Sequence, residues 1–189
     1  MKRVILIHGW DGHPGDHWKK WFKGTLIGKG IRVIEPQLSG GSQPELEVWN
    51  KEIAEAIGTP DMDTCVVGHS LGCIALVHYL RSLKDSEKIA GAVFVAGFSS
   101  DIGMRDDAES FIEKFYLTPE EVGKAKKHCD KFVTIVSDND SAVPLAKALE
   151  FQKELDAELI LEEGKGHFCE EDGVMRLQSA LDSVLKILE

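Results

Sequence analysis

The 189-residue chain has no apolar run long enough to cross a bilayer. Its opening, MKRVILIHGW, has a basic start, but the apolar stretch is too short for a signal peptide or a span and ends at His8-Gly9. The mature chain is therefore expected to begin at Met1, with no membrane partner. Basic residues are outnumbered, 22 Lys and Arg against 32 Asp and Glu, and they are dispersed, so the net charge of −10 argues against a nucleic-acid or anionic-membrane surface. Cysteine is sparse: Cys65, Cys73, Cys129 and Cys169 form no C-x-x-C pair and no regular ladder. That usage excludes a disulfide scaffold and fits a reducing cytoplasm, with the thiols serving as small buried hydrophobes. Repeats, low-complexity stretches and Pro/Gly/Ser linkers are also missing, which leaves a single domain over 1–189.

What is present is an alternation of short β-branched runs with helical patterns. RVILI (3–7), IRVIE (31–35), CVV (65–67), AGAVFVA (90–96), KFVTIV (131–136) and AELIL (157–161) read as strands, each followed by a loop and a helix. Asp16 is placed to cap a helix carrying Trp18, Trp21, Phe22 and Leu26. Residues 45–57 are helical, and the last helix uses Val174, Leu177, Leu181, Leu185 and Leu188. The order implies an α/β fold with about six mostly parallel strands and helices on both faces. The segment from about 98 to 130 is more charged and restarts at Thr118-Pro119-Glu120-Glu121, a helix start with proline at the first helical position. It reads as a small cap of one or two helices at the strand C-terminal edge.

Gly68-His69-Ser70-Leu71-Gly72 has the G-x-S-x-G spacing of a nucleophile elbow, between the apolar run ending at Val67 and the run from Ile74 to Leu80. A serine hydroxyl is a poor nucleophile at neutral pH, so it needs a base and a group that orients the base. His167 is the candidate base because it lies in the loop Gly164-Lys165-Gly166-His167-Phe168 straight after the last strand. Asp138 and Asp140 both follow the fifth strand, and Asp140 is favoured because it sits four residues before Pro144, where the chain turns into the next helix. The order Ser70, Asp140, His167 matches α/β-hydrolases and neither of the common serine-protease orders. An acyl-transfer site also needs aimed donors for the oxyanion. Candidates are the backbone N–H of Leu71 and that of Trp10, with Asp11 as the alternative to Trp10. His8 and His69 are expected to support backbone geometry. His13 and His17, spaced i, i+4, could share a metal but lack a third ligand nearby in sequence, so no metal is assigned.

The set His8-Gly9-Trp10 with Gly12 and Asp16-His17-Trp18, then Gly68-His69-Ser70-Leu71-Gly72, Asp140-x-x-Val143-Pro144 and Gly164-x-Gly166-His167-Phe168, resembles the small α/β-hydrolases, in particular the retinoblastoma-binding serine hydrolases and bacterial YdeN-type hydrolases. The resemblance spans nearly the whole chain. It implies a minimal α/β-hydrolase fold, Ser70, Asp140 and His167 as the triad, esterase-like or peptidase-like hydrolysis, and no cofactor. The loop QLSGGSQP and the segment 98–130 depart from a minimal member.

Two other functions share these residues: an acyltransferase using a non-water acceptor, and a non-catalytic protein-interaction module on a hydrolase scaffold. The substrate expected for the hydrolase is a small ester or amide. Its pocket walls are expected to include Phe98 and Phe168, with Trp10 and some of Phe111, Phe115 and Tyr116.

Overall fold

The computed structural model describes residues 1–104 and 108–189. Its strands are β1 (Arg3–Ile7), β2 (Arg32–Ile34), β3 (Thr64–His69), β4 (Gly91–Val95), β5 (Phe132–Ser137) and β6 (Glu158–Glu162). They form one sheet in the order β2-β1-β3-β4-β5-β6, and every neighbouring pair is parallel. A parallel pair needs a crossover, which the helices supply: α1 (Lys19–Gly28), α2 (Leu46–Ile57), α3 (Leu71–Arg81), α4 (Glu109–Ile112), α5 (Pro119–Ala125), α6 (Leu145–Leu155) and α7 (Gln178–Leu188).

Because side chains alternate along a strand, each central strand feeds two cores. Ile5 and Ile7 of β1, Val66 of β3 and Phe94 of β4 pack with α2, α3, α5 and α6. Val4, Leu6, Cys65, Val67, Val93 and Val95 face the other way, onto Trp18 and the residues Phe22 and Leu26 of α1 and onto Leu181, Val184 and Ile187 of α7. This two-sided burial is why the strands read as continuous apolar runs. The sandwiched helix α3 is buried from Leu71 through Leu80, so it too is apolar on every side.

Several boundaries differ from the sequence reading. Asp16 does not cap α1: its carboxylate accepts the His13 N–H at 2.6 Å, and Trp18 occupies the N-cap position without a side-chain cap bond. Val174 is buried in the second core but precedes α7.

The expected cap is divided between two roles. Residues 105–107 of it lie outside the described residues. Ile102, Met104 and Ile112 lie over the strand edge, whereas α5, with the capping box formed by Thr118 and Glu121, packs as a layer helix in the core of α3 and α6. Its apolar residues Val122 and Ala125 are buried there, so this half belongs to the body of the fold.

Candidate active site

β3 ends at His69 and α3 begins at Leu71, with Ser70 alone between them. Ser70 sits at φ 52°, ψ −124°, a strained conformation for a side chain bearing Cβ. The strain is held by Ser70 N–H, which donates to Val95 O at 2.9 Å, and by Ser70 O, which accepts from Cys73 N–H at 2.9 Å. The flanking glycines are required by space. A Cβ on Gly68 would lie 2.8 Å from Cys73 N, where strand and helix nearly touch, and one on Gly72 would lie 2.5 Å from His8 O, at the end of the neighbouring strand. Leu71, the first residue of α3, has a backbone N–H with no partner inside the helix.

His167 follows β6, and its Nδ1 lies 2.9 and 3.1 Å from the two carboxylate oxygens of Asp140. A carboxylate only accepts, so Nδ1 carries a proton, and in the neutral tautomer this leaves the lone pair on Nε2. Asp140 is 3 % exposed and His167 18 % exposed, so the pair is shielded but one side of the imidazole stays reachable. The Asp140 carboxylate also accepts from the N–H groups of Ala142 and Val143, both at 2.9 Å, which fixes its direction.

The loop carrying His167 is clamped by residues that sequence reasoning missed. Asn139 Oδ1 accepts from Gly166 N–H at 2.7 Å, Ser137 Oγ accepts from Lys165 N–H at 3.0 Å, and Asp172 Oδ2 accepts from His167 N–H at 2.8 Å. Asp138 accepts from Gly164 N–H at 2.8 Å, so the two aspartates divide between holding the loop and holding the imidazole. The pattern Ser137-Asp138-Asn139-Asp140 was visible as polar, but which carboxylate faces which loop depends on where β6 runs beside β5.

His8 and His69 each use their rings structurally. His8 Nδ1–H donates to Gly9 O at 2.8 Å and its Nε2 accepts from Leu38 N–H at 3.0 Å, which requires a neutral ring. Burial lowers its pKa accordingly. His69 Nε2–H donates to His167 O at 2.9 Å, and burial holds His69 well below the usual histidine range.

These elements surround a cavity of about 240 Å³. Ser70, Leu71, His69, His167, Trp10 and Phe98 line it, together with Ile102, Met104, Ile112 and Val143. Trp10 is tied back by its indole, which donates to Ser42 O at 3.0 Å.

Phe168 is a correction. It is fully buried in the second core with Trp18 and Leu181, because at φ 58° the chain turns its side chain away from the cavity that His167 lines. Of the aromatic set in the cap, Phe115 is buried against Trp49 and Phe111 lies on a separate surface groove; Ile112, the residue between them in the chain's turn, lines the cavity instead.

Lys19 was also missed. It is 1 % exposed and lines the cavity, while its neighbour Lys20 is exposed. Lys19 starts α1 on the same face as the buried Phe22 and Leu26, three and seven residues on, and Lys20 falls outside that face.

Among the described residues, His17, Cys169 and Glu171 bring three donor atoms within 4.8 Å of one another, whereas His13 stands apart from them, beside Asp16. The donor states suit a cation poorly. His17 Nδ1 accepts the Glu170 N–H at 3.0 Å, so its other nitrogen is protonated. Burial pushes the Cys169 thiol up to about 11, and the Lys19 charge acts on both residues.

No described helix is long and apolar enough to cross a membrane. Residues 4–186 match the model of the family described as serine hydrolase. The chain is 27 % identical over 181 residues to the protein YdeN of Bacillus subtilis, covering 96 % of this chain and 93 % of YdeN. It is also 27 % identical over 164 residues to the serine hydrolase RBBP9 of Rattus norvegicus, covering 87 % of this chain and 80 % of RBBP9. The crystal structure of the B. subtilis ydeN gene product superposes with a TM-score of 0.91 at 26 % identity, over 99 % of this chain and 98 % of that one. Est1E from Butyrivibrio proteoclasticus shares the fold, with a TM-score of 0.76 at 16 % identity over 100 % of this chain and 88 % of the other. With a parallel six-stranded sheet, a serine elbow after its third strand and a family match over almost the full length, the chain belongs to the serine hydrolase family and has a minimal α/β-hydrolase fold.

Proposed function

We propose that the protein hydrolyses an ester or amide bond through an acyl-enzyme on Ser70. The observation that supports this most directly is the contact of both Asp140 carboxylate oxygens with His167 Nδ1, at 2.9 and 3.1 Å, beside the cavity that Ser70 lines. In the first step the Ser70 Oγ attacks the carbonyl carbon while His167 Nε2 takes the hydroxyl proton, and Asp140 holds the resulting imidazolium. The oxyanion is met by the N–H groups of Leu71 and Trp10, the first at the positive end of the α3 dipole. His167 then gives its proton to the departing alcohol or amine. Water, deprotonated by the same imidazole, attacks the acyl carbon and restores Ser70.

The steps draw only on groups of this chain and water. The apolar walls formed by Phe98, Ile102, Ile112 and Val143 suit a short acyl chain. The four free cysteines suit a reducing cytoplasm. The test is labelling by a fluorophosphonate probe together with hydrolysis of short p-nitrophenyl esters at pH 8. Both are expected of the wild type and neither of Ser70→Ala. Folded wild-type protein that does neither would remove the catalytic reading.

A further inference from the structure

The Lys19 side chain is 1 % exposed, and among the described residues its ammonium has no hydrogen bond and no ion pair. The side chain lines the cavity, so the ammonium at its end gains from an anion that enters there. The acidic groups nearest to it are already engaged. Asp16 accepts the His13 N–H at 2.6 Å, while Glu35 accepts the Gly15 N–H at 2.6 Å and faces Lys23 at 3.3 Å. The Lys19 charge also acts on His17, His69 and Cys169, all of which line the cavity shared with Ser70 and His167. Burial lowers the Lys19 pKa, against the opposing pull of the Asp16 and Glu35 carboxylates, neither of which is in hydrogen-bond contact with it.

His17 adds to this polar part of the wall. Its Nδ1 accepts the Glu170 N–H, so the remaining ring nitrogen is a donor. The lining thus combines two cavity-wall donors, Lys19 and His17, with the apolar residues Ile102, Met104, Ile112 and Val143. A plain acyl chain would satisfy the second set and leave the first unmet.

We propose, building on the hydrolase reading above, that the preferred substrates are esters bearing a carboxylate close to the scissile bond, and that Lys19 is the specificity-determining residue that binds this carboxylate. The ammonium forms a charge-assisted hydrogen bond with the substrate inside a partly enclosed cavity, and such a bond discriminates against an uncharged analogue.

The experiment compares kcat/KM for monophenyl glutarate with that for its neutral methyl ester, phenyl methyl glutarate, and for 4-carboxyphenyl acetate with that for phenyl acetate. Wild type is expected to favour at least one acidic member by roughly 10- to 100-fold. Lys19→Met is expected to remove that ratio, and Lys19→Gln, which keeps a neutral donor, to retain a smaller part of it. Thermal melts confirm that each variant is folded. A wild-type ratio near one for both pairs, or a ratio that survives in Lys19→Met, overturns the proposal.

A second measurement separates this proposal from the catalytic one. Glutarate binding to Ser70→Ala by calorimetry is expected to weaken at least tenfold when Lys19→Met is added. Where no ester turns over and the fluorophosphonate fails, Lys19-dependent glutarate binding sinks the hydrolase reading while sustaining the carboxylate site. Absence of such binding in that case overturns the site as well.

Discussion

His69 Nε2 lies 2.9 Å from the carbonyl oxygen of His167. The residue immediately before the elbow serine therefore holds the backbone of the loop that presents the imidazole, and two segments far apart in sequence are tied by one partly buried bond. Burial keeps His69 neutral in the folded chain, and it likewise lowers the pKa of His8, His17 and His78.

The sign of the pH dependence follows from these shifts. A histidine depressed in the folded state binds fewer protons there than when unfolded, so stability is complete above the unfolded value of about 6.5 and falls as the pH drops below it. Thermal midpoints measured from pH 8 to pH 5 should decline below about pH 6.5. His69→Gln should have a shallower decline and, from the altered bond to His167 O, an unfolding free energy lower by about 1–2 kcal/mol at pH 8. A midpoint flat across this range would contradict the buried neutral histidines.

The two aspartates after β5 should separate by kinetics. Asp140→Asn removes the acceptor that orients His167 and is expected to lower kcat by up to about 10⁴-fold. Asp138→Asn alters only the bond to Gly164 N–H and should cost less than about tenfold. Steady-state rates with a p-nitrophenyl ester decide it, and similar losses for both would mean that the assignment of Asp140 is wrong.

Gly166 has φ +51°, and a Cβ there would stand 2.1 Å from the Asp172 carboxylate that accepts the His167 N–H. Gly166→Ala should therefore cost about 1–3 kcal/mol in urea unfolding and also lower kcat. Combined with Asp172→Ala, the substitution should cost less than it does alone, since the clash is gone. Strict additivity in this double-mutant cycle would argue against the contact.

Phe168 and Phe98 should behave as different kinds of residue. Phe168→Ala empties a fully buried site in the α1 and α7 core, with a loss of about 3–5 kcal/mol of stability. Phe98, also buried but lining the cavity, should change KM with acyl chain length when replaced by Leu. Urea unfolding and a series of p-nitrophenyl esters of graded length check the pair. A large change in chain-length preference for Phe168→Leu would restore it to the pocket wall.

Strand identity, the mostly parallel arrangement, the elbow and the position of the imidazole loop were legible in the sequence. They rest on local signals: β-branched runs buried on both sides, glycines where no Cβ fits, and loops that must follow parallel strands at one edge of the sheet. The register β5 to β6, Ser137 opposite Glu162, was not legible, and it is this register that sets Asp138 against Gly164 and Asp140 against His167.

The elbow and the imidazole loop were determined by the sequence alone, because turn sterics and strand-end loops are properties of a few adjacent residues. The opening of Lys19 onto the cavity, the outward displacement of Phe168 from it and the division of the cap into wall and layer helix were decided only by the tertiary structure. Each depends on which of two faces a residue is given when a loop passes through a left-handed conformation or a helix finds a neighbour to pack on. That choice is made by contacts across the sheet, and a local pattern of polar and apolar residues does not contain it.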